Sequence, residues 1–324
     1  MKLKIYAILL LGLLYACSDD EDSTPNYDLD FKQEMRDFVI GISQYAKAES
    51  ADFIVIPQNG QELVTVNGEE DGSPATAYLN AIDGVGREDL FYGYDNDDES
   101  TPESERSYMI SFLDVCESNN VEVLTTDYCW TESKMDDSYN QNNLKGYISF
   151  AAPERELNVI PSYPLRPFNV NTDDIVSLSD AKNFLYLLNP ENYSTKQDLI
   201  NALSATNYDV LIIDCFFNEE LLTTDDILLL KTKQNGGSRL VISYMSIGEA
   251  EDYRYYWQTD WTSTKPDWIE AENPDWEGNY KVKYWETEWQ NIIYGDSDSY
   301  LDKIISVGFN GVYLDIIDAF EYFE

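Results

Sequence analysis

No histidine occurs anywhere in the 324 residues. Its absence excludes Ser-His-Asp and Cys-His nucleophile systems, His-ligated zinc and imidazole proton transfer. Acid–base chemistry must therefore rest on Asp, Glu, Tyr, Lys or Cys. Basic residues are scarce, 21 Lys and Arg against 61 Asp and Glu, for a formal net charge of −40. Such a surface repels nucleic acid and anionic headgroups and attracts cations or cationic polymers. By itself it also describes a self-repelling, soluble exterior. Cysteines number four. Setting Cys17 aside, Cys116, Cys129 and Cys215 have no metal-ligand spacing and read as core thiols, with at most one disulfide. No Gly-rich phosphate loop opens any helical segment, which argues against a nucleotide-binding open sheet.

What is present begins with a targeting pattern. Lys2 and Lys4 precede an apolar run over Ile5 to Tyr15, which is too short to span a bilayer and has the form of a signal-peptide core. Leu14-Tyr15-Ala16-Cys17 resembles a bacterial lipobox, in which Cys17 is lipidated and becomes the first mature residue; the alternative is an ordinary cleaved signal with a coincidental cysteine. The expected organisation is a leader over 1–17, an acidic flexible tether over 18–30 and one domain over 31–324. The acidic Ser18–Asp22 run resembles the tether of lipoproteins displayed on the outer-membrane surface of Gram-negative bacteria. Membrane attachment is expected through the lipid alone.

Eight apolar or β-branched runs follow: 53–56, 121–124, 147–152, 184–188, 209–216, 239–247, 280–285 and 310–317. Helical patterns separate most of them, with a capping box at Ser194 and Gln197 and glycine stops at Gly236 and Gly308. This alternation predicts an α/β fold, a (β/α)8 TIM barrel, with an open doubly wound sheet as the alternative. Residues 57–102 read as a long polar insertion after the first strand. The chain leaves almost no room for an eighth helix, and the amphipathic segment 31–48 is expected to replace it, burying Phe38 and Ile42.

Catalytic groups of such barrels stand at the C-terminal strand ends. Those ends carry Asn59, Asp127, Asp214, Glu249, Tyr284 with Glu286, and Asp315 followed by Asp318, with Tyr244 and Arg254 near Glu249. A carboxylate pair flanking one bond is what glycoside hydrolysis requires, and aromatic faces stack on sugar rings. Asp214, Glu249 and Asp315 are the candidate catalytic carboxylates; Tyr244, Arg254, Tyr284, Glu286, Asp127, Asn59 and Asp318 are candidate substrate-binding groups. Each has a plainer reading. Asp214 also suits a helix cap, Glu249 a first-turn acid favoured by the helix dipole, and Arg254 a carboxylate-orienting cation. Asp315, between Leu314 and Ile316, needs a partner if buried.

The segments "SYMSIGEAEDYRYYW" and "GFNGVYLDIIDAFEYF", with "PQNGQEL", "GVGREDLFYGY", "NYDVLIID" and "YKVKYWETEWQNII", resemble glycoside-hydrolase family 114. This is the endo-α-1,4-polygalactosaminidase family, and the likeness is to its bacterial "cysteinyl-tRNA-synthetase-related extracellular" branch. The resemblance covers roughly residues 35–322. It implies hydrolysis of α-1,4-linked galactosamine polymers with retention, without metal or cofactor. It carries family roles onto Asp214, Tyr244, Glu249, Arg254 and Asp315. Two positions depart from the pattern: Asn310 stands in place of an aspartate, and Trp276-Glu277-Gly278-Asn279 replaces a fungal Trp-Pro-Gly-Glu segment. Alternatives to the enzyme are a noncatalytic glycan-binding lipoprotein on the same barrel and a structural surface protein.

Overall fold

Eight short, fully or largely buried strands run parallel, as expected of Val-, Ile-, Leu- and Tyr-rich segments covered on both faces. They are β1 (Ile54–Pro57), β2 (Gly84–Glu88), β3 (Glu122–Tyr128), β4 (Ile148–Ala152), β5 (Phe184–Leu187), β6 (Val210–Asp214), β7 (Leu240–Ser246) and β8 (Gly311–Asp315). The computed structural model describes residues 27–324. Cys17, the leader and most of the tether lie outside the described residues. Residues 31–324 form one compact unit. One parallel sheet has the order β1-β8-β7-β6-β5 and a second the order β2-β3-β4. Single parallel bridges, Gln58 to Gly86 and Ser149 to Asn183, join the two sheets at both edges.

Helices Glu103–Ser118, Glu132–Lys145, Lys196–Ser204, Thr224–Leu230 and Tyr300–Val307 alternate with the strands. The capping box expected at Ser194 sits one residue later, where the Thr195 side chain accepts from the Asp198 amide. A full box, Thr223 with Asp226, starts the helix Thr224–Leu230. That helix ends well before Gly236, which serves a turn instead; Gly308, at φ 95°, does close the helix before β8.

Two expectations about strands are corrected. Residues 57–102 are not only an insertion, because they contain β2. Its sequence, Gly-Val-Gly-Arg-Glu, has one β-branched residue and two glycines, so propensity hides it. The glycine has a packing reason: a Cβ on Gly86 would stand 1.9 Å from the Tyr313 hydroxyl oxygen. Gly86→Ala is accordingly expected to cost about 1–3 kcal/mol through overpacking, read by urea unfolding. Tyr313→Phe, which deletes that hydroxyl, should recover part of the loss. The second correction concerns 280–285. Asn279–Val282 belongs to a small antiparallel sheet with Glu249–Glu251 and Ile269–Glu272, an excursion between β7 and β8 rather than a strand of the parallel sheets.

The helix Phe31–Glu49 buries Met35, Phe38, Val39, Ile42 and Ala46 along one stripe. It packs against the segment that follows β1 and against the helix Tyr300–Val307 that precedes β8. Buried Arg36 ties it to the first of these through the carbonyls of Leu63 (2.8 Å) and Thr65 (2.5 Å). The Tyr45 hydroxyl ties it to the second through Asp302 at 2.8 Å. After β8 the described residues form a 3-10 turn, Ile317–Tyr322.

Candidate active site

The strands deliver their C-terminal ends to one cavity of about 550 Å3, lined among others by Asn59, Asp214, Tyr244, Glu249, Arg254, Asp315 and Asp318. Seven of the ten sequence-predicted residues therefore meet in one place. Asp214 ends β6 and Asp315 ends β8, flanking β7 on either side, and β7 contributes Tyr244.

The two aspartates have opposite electrostatic settings. Arg254 donates to Asp214 at 2.7 Å, and the same guanidinium donates from Nε to Glu251 at 2.6 Å. Burial pushes the Asp214 carboxyl upward, while the adjacent guanidinium favours its ionised form. Asp315 has no such cation. Its Oδ2 accepts from the Tyr244 hydroxyl at 2.8 Å. Burial first, and the Glu88 carboxylate second, push its carboxyl up to about 8. Asp318 is raised to about 6 by burial and by Glu321.

The turn that presents Asp315 is strained. Ile316 adopts φ 58°, unusual for a β-branched side chain. Gly248 makes room for it, since a Cβ there would lie 2.0 Å from the Ile316 carbonyl oxygen. Glycine at the head of the Gly-Glu-Ala-Glu segment is thus demanded by a close approach of backbone.

Glu249 is almost wholly buried, and its oxygens accept from Asn273 at 2.7 Å and Asn279 at 3.3 Å. Asn279 is the last residue of the Trp276–Asn279 segment, so that departure from the family pattern faces the cavity. The other departure, Asn310, uses its side-chain oxygen to accept the Val241 amide at 3.1 Å, at the start of β8.

Three predicted residues lie elsewhere. Asp127 points away from the cavity and accepts from the Phe91 and Tyr92 amides, Ser138 and Asn142, holding strand to helix. Strand side chains alternate, and it is Tyr128, one position on, that lines the cavity. Tyr284 is buried with its hydroxyl on the Phe31 carbonyl at 2.9 Å. Glu286 is exposed before the helix Thr287–Ile293. Both corrections follow from the excursion: 280–285 is not a strand of the parallel sheets, so its end does not reach the cavity.

Sequence reading missed Glu88, Glu251, Tyr128, Tyr186 and Arg155, all on the cavity wall. Glu251 was legible, because strand alternation puts it on the same face as Glu249. Glu88 was not, because β2 itself was hidden. Arg155 bonds Asp89 at 2.8 Å and Asp97 at 2.8 Å and lies over the Tyr128 ring at 3.9 Å. The lining carries eight carboxylates against two guanidinium groups, both engaged in ion pairs. Cys116, Cys129 and Cys215 are buried and outside any disulfide. Among the described residues no cluster of three or more Asp, Glu or Cys side chains is arranged to hold a metal ion.

The structure is a mixed α/β fold with a parallel sheet and a carboxylate-lined cavity at its strand ends, the kind of setting that glycoside hydrolysis uses. The model of glycoside-hydrolase family GH114 matches residues 169–324, the segment that holds Asp214, Glu249, Arg254 and Asp315. Over that segment, just under half of its length, the chain is similar to this glycoside-hydrolase family. An uncharacterized protein of Methanocaldococcus jannaschii is 40% identical over 160 residues, 47% of this chain and 42% of that protein. One from Thermotoga maritima is 52% identical over 81 residues, 25% of this chain and 24% of its own length. One from Deinococcus radiodurans is 37% identical over 125 residues, 39% of this chain and 38% of its own length. The chain thus spans less than half the length of these curated relatives.

Proposed function

We propose that the cavity hydrolyses an α-1,4-linked galactosamine-type polysaccharide, with Asp315 as the acid and Asp214 as the nucleophile. The single observation that carries this reading is that two aspartates share one cavity in opposite settings. Asp315, raised to about 8, holds its proton at neutral pH; Asp214 has a permanent cation at 2.7 Å. Burial raises both carboxyls, but only Asp214 has a guanidinium beside it to favour the ionised form, and that difference assigns acid and base. Asp315 protonates the leaving glycosidic oxygen while Asp214 attacks the anomeric carbon. Water then releases the sugar, with Asp315 acting as base, so the anomeric configuration is retained. Glu249, both of whose oxygens accept from asparagine amides, is held in the wall and takes neither role. The excess of carboxylates favours a cationic, partly deacetylated polymer. The two bridges that join the sheets support reading the eight strands as a closed (β/α)8 barrel.

The test is incubation of the purified protein with partly deacetylated α-1,4-galactosaminogalactan, scoring new reducing ends and, by NMR of fresh product, α anomer first. Binding without new reducing ends would favour the noncatalytic glycan-binding alternative. We further propose that the protein is an envelope lipoprotein anchored by Cys17. Mass spectrometry of the membrane fraction should find a diacylated or triacylated Cys17 as the first residue; an intact Met1 or an unmodified Cys17 would sink that assignment.

A further inference from the structure

Beside the acid and nucleophile stands a carboxylate that neither role uses, Glu88 at the end of β2. Its place relative to Asp315 follows from packing one layer down. The Tyr313 hydroxyl fills the space where a Gly86 Cβ would be, so Gly86 and Tyr313 face each other inside the sheet. Strand side chains repeat every second residue. Two positions on from that contact, Glu88 and Asp315 stand on the same inward faces of β2 and β8, one layer nearer the cavity mouth. Both line the cavity.

Glu88 is held there as a charge. The Asn59 amide donates to Oε2 at 3.0 Å, and the Tyr128 hydroxyl makes a short bond to Oε1. Asn59 also accepts the Glu88 backbone amide at 3.2 Å. Its side chain thus meets two donors and no acceptor. Among the described residues no cation lies within ion-pair distance of it: Arg155, stacked on Tyr128, spends its N–H groups on Asp89, Asp97 and the Gly93 carbonyl.

We propose that Glu88 is a positioning residue whose fixed negative charge keeps the proton on Asp315. This rests on the hydrolase reading only for its consequence in catalysis. The other groups facing Asp315 are the Tyr244 hydroxyl from β7, which favours the ionised form, Asp318 from the following turn, which opposes it, and the Tyr186 and Tyr313 phenols. Arg87, next to Glu88, donates to Gln61 at 2.5 Å. Of these, Glu88 is the strongest charged influence on Asp315 after burial itself.

The experiment is a carboxyl titration by 13C NMR of aspartate-labelled protein, with the Asp315 resonance assigned by its loss in Asp315→Asn. The wild-type midpoint is expected near about 8. In Glu88→Gln it should fall by about one pH unit or more, because a like charge has been removed. Glu88→Asp, which keeps the charge, should stay within a few tenths of wild type. Glu88→Ala is a second neutral variant should the glutamine protein not fold. An unchanged Asp315 midpoint in a folded neutral variant overturns the proposal. On substrate, the alkaline limb of kcat/KM should move down with the midpoint. A moved midpoint in a protein that cleaves nothing would leave the positioning role standing and remove the hydrolase reading.

Discussion

Asp315→Asn should lower kcat for cleavage of the galactosamine polymer by about 100- to 10,000-fold, the range contributed by a positioned general acid. Asp214→Asn should be at least as damaging, since it removes the proposed nucleophile. Reducing-end assays on both variants, with circular dichroism to verify folding, decide the matter; normal turnover in both places the chemistry elsewhere. Wild-type activity should fall as pH rises through about 8, where Asp315 loses its proton. The same titration carries a stability signature of defined sign. The folded chain holds the Asp315 proton more tightly than the unfolded chain does. Its contribution is therefore full below about pH 4 and is lost progressively as pH rises to about 8. Asparagine mimics the protonated acid. Asp315→Asn should thus come close to wild type near pH 4 and exceed it by on the order of 5 kcal/mol at pH 9, measured by urea unfolding. A variant that gains stability while losing activity is what a functional acid predicts and what a helix cap or packing role does not.

Lys233→Met should destabilise the protein by about 3–5 kcal/mol, the usual cost of stranding one partner of a buried ion pair. Lys233 and Asp209 meet at 2.9 Å with both side chains fully buried. Asp209 lies just before β6, at the end of the strands remote from the cavity, and its other oxygen accepts from the Lys182 amide and Asn171. Replacing the lysine leaves that carboxylate without its cation. Lys233→Met combined with Asp209→Asn should cost less than the sum of the single changes. Because neither residue lines the cavity, kcat per folded molecule should stay at the wild-type level. The contrast with Asp315→Asn separates the groups that hold the strands from those that act at their ends.

Most of the parallel core was legible. Runs such as "VLIID" and "VISYMS" are apolar and β-branched, and they are buried strands. Local composition suffices there, because a strand covered on both faces has little freedom to be anything else. The carboxylates that close those runs, Asp214 and Asp315, were legible for the same reason: parallel strands bring their ends to one face. Absence of histidine alone confined proton transfer to carboxyl, phenol, amine and thiol groups.

Tertiary structure decided the rest. Nothing local marks "GVGRE" as a strand; its glycine is explained only by Tyr313, a residue near the other end of the chain. Nothing local separates Asp127 from Tyr128 either, since a shift of one position reverses which side chain faces the cavity. "YKVKYW" alternates like a core strand, yet pairs antiparallel outside the parallel sheets, and Tyr284 and Glu286 leave the cavity with it. Strand pairing is a contest among distant partners that periodicity cannot judge. The same distance hides the fork of Arg254 between Asp214 and Glu251, and the nearness of Glu88 to Asp315. Composition determined which chemistry was open to this protein; long-range packing decided which carboxylates share a cavity, and therefore which one keeps its proton.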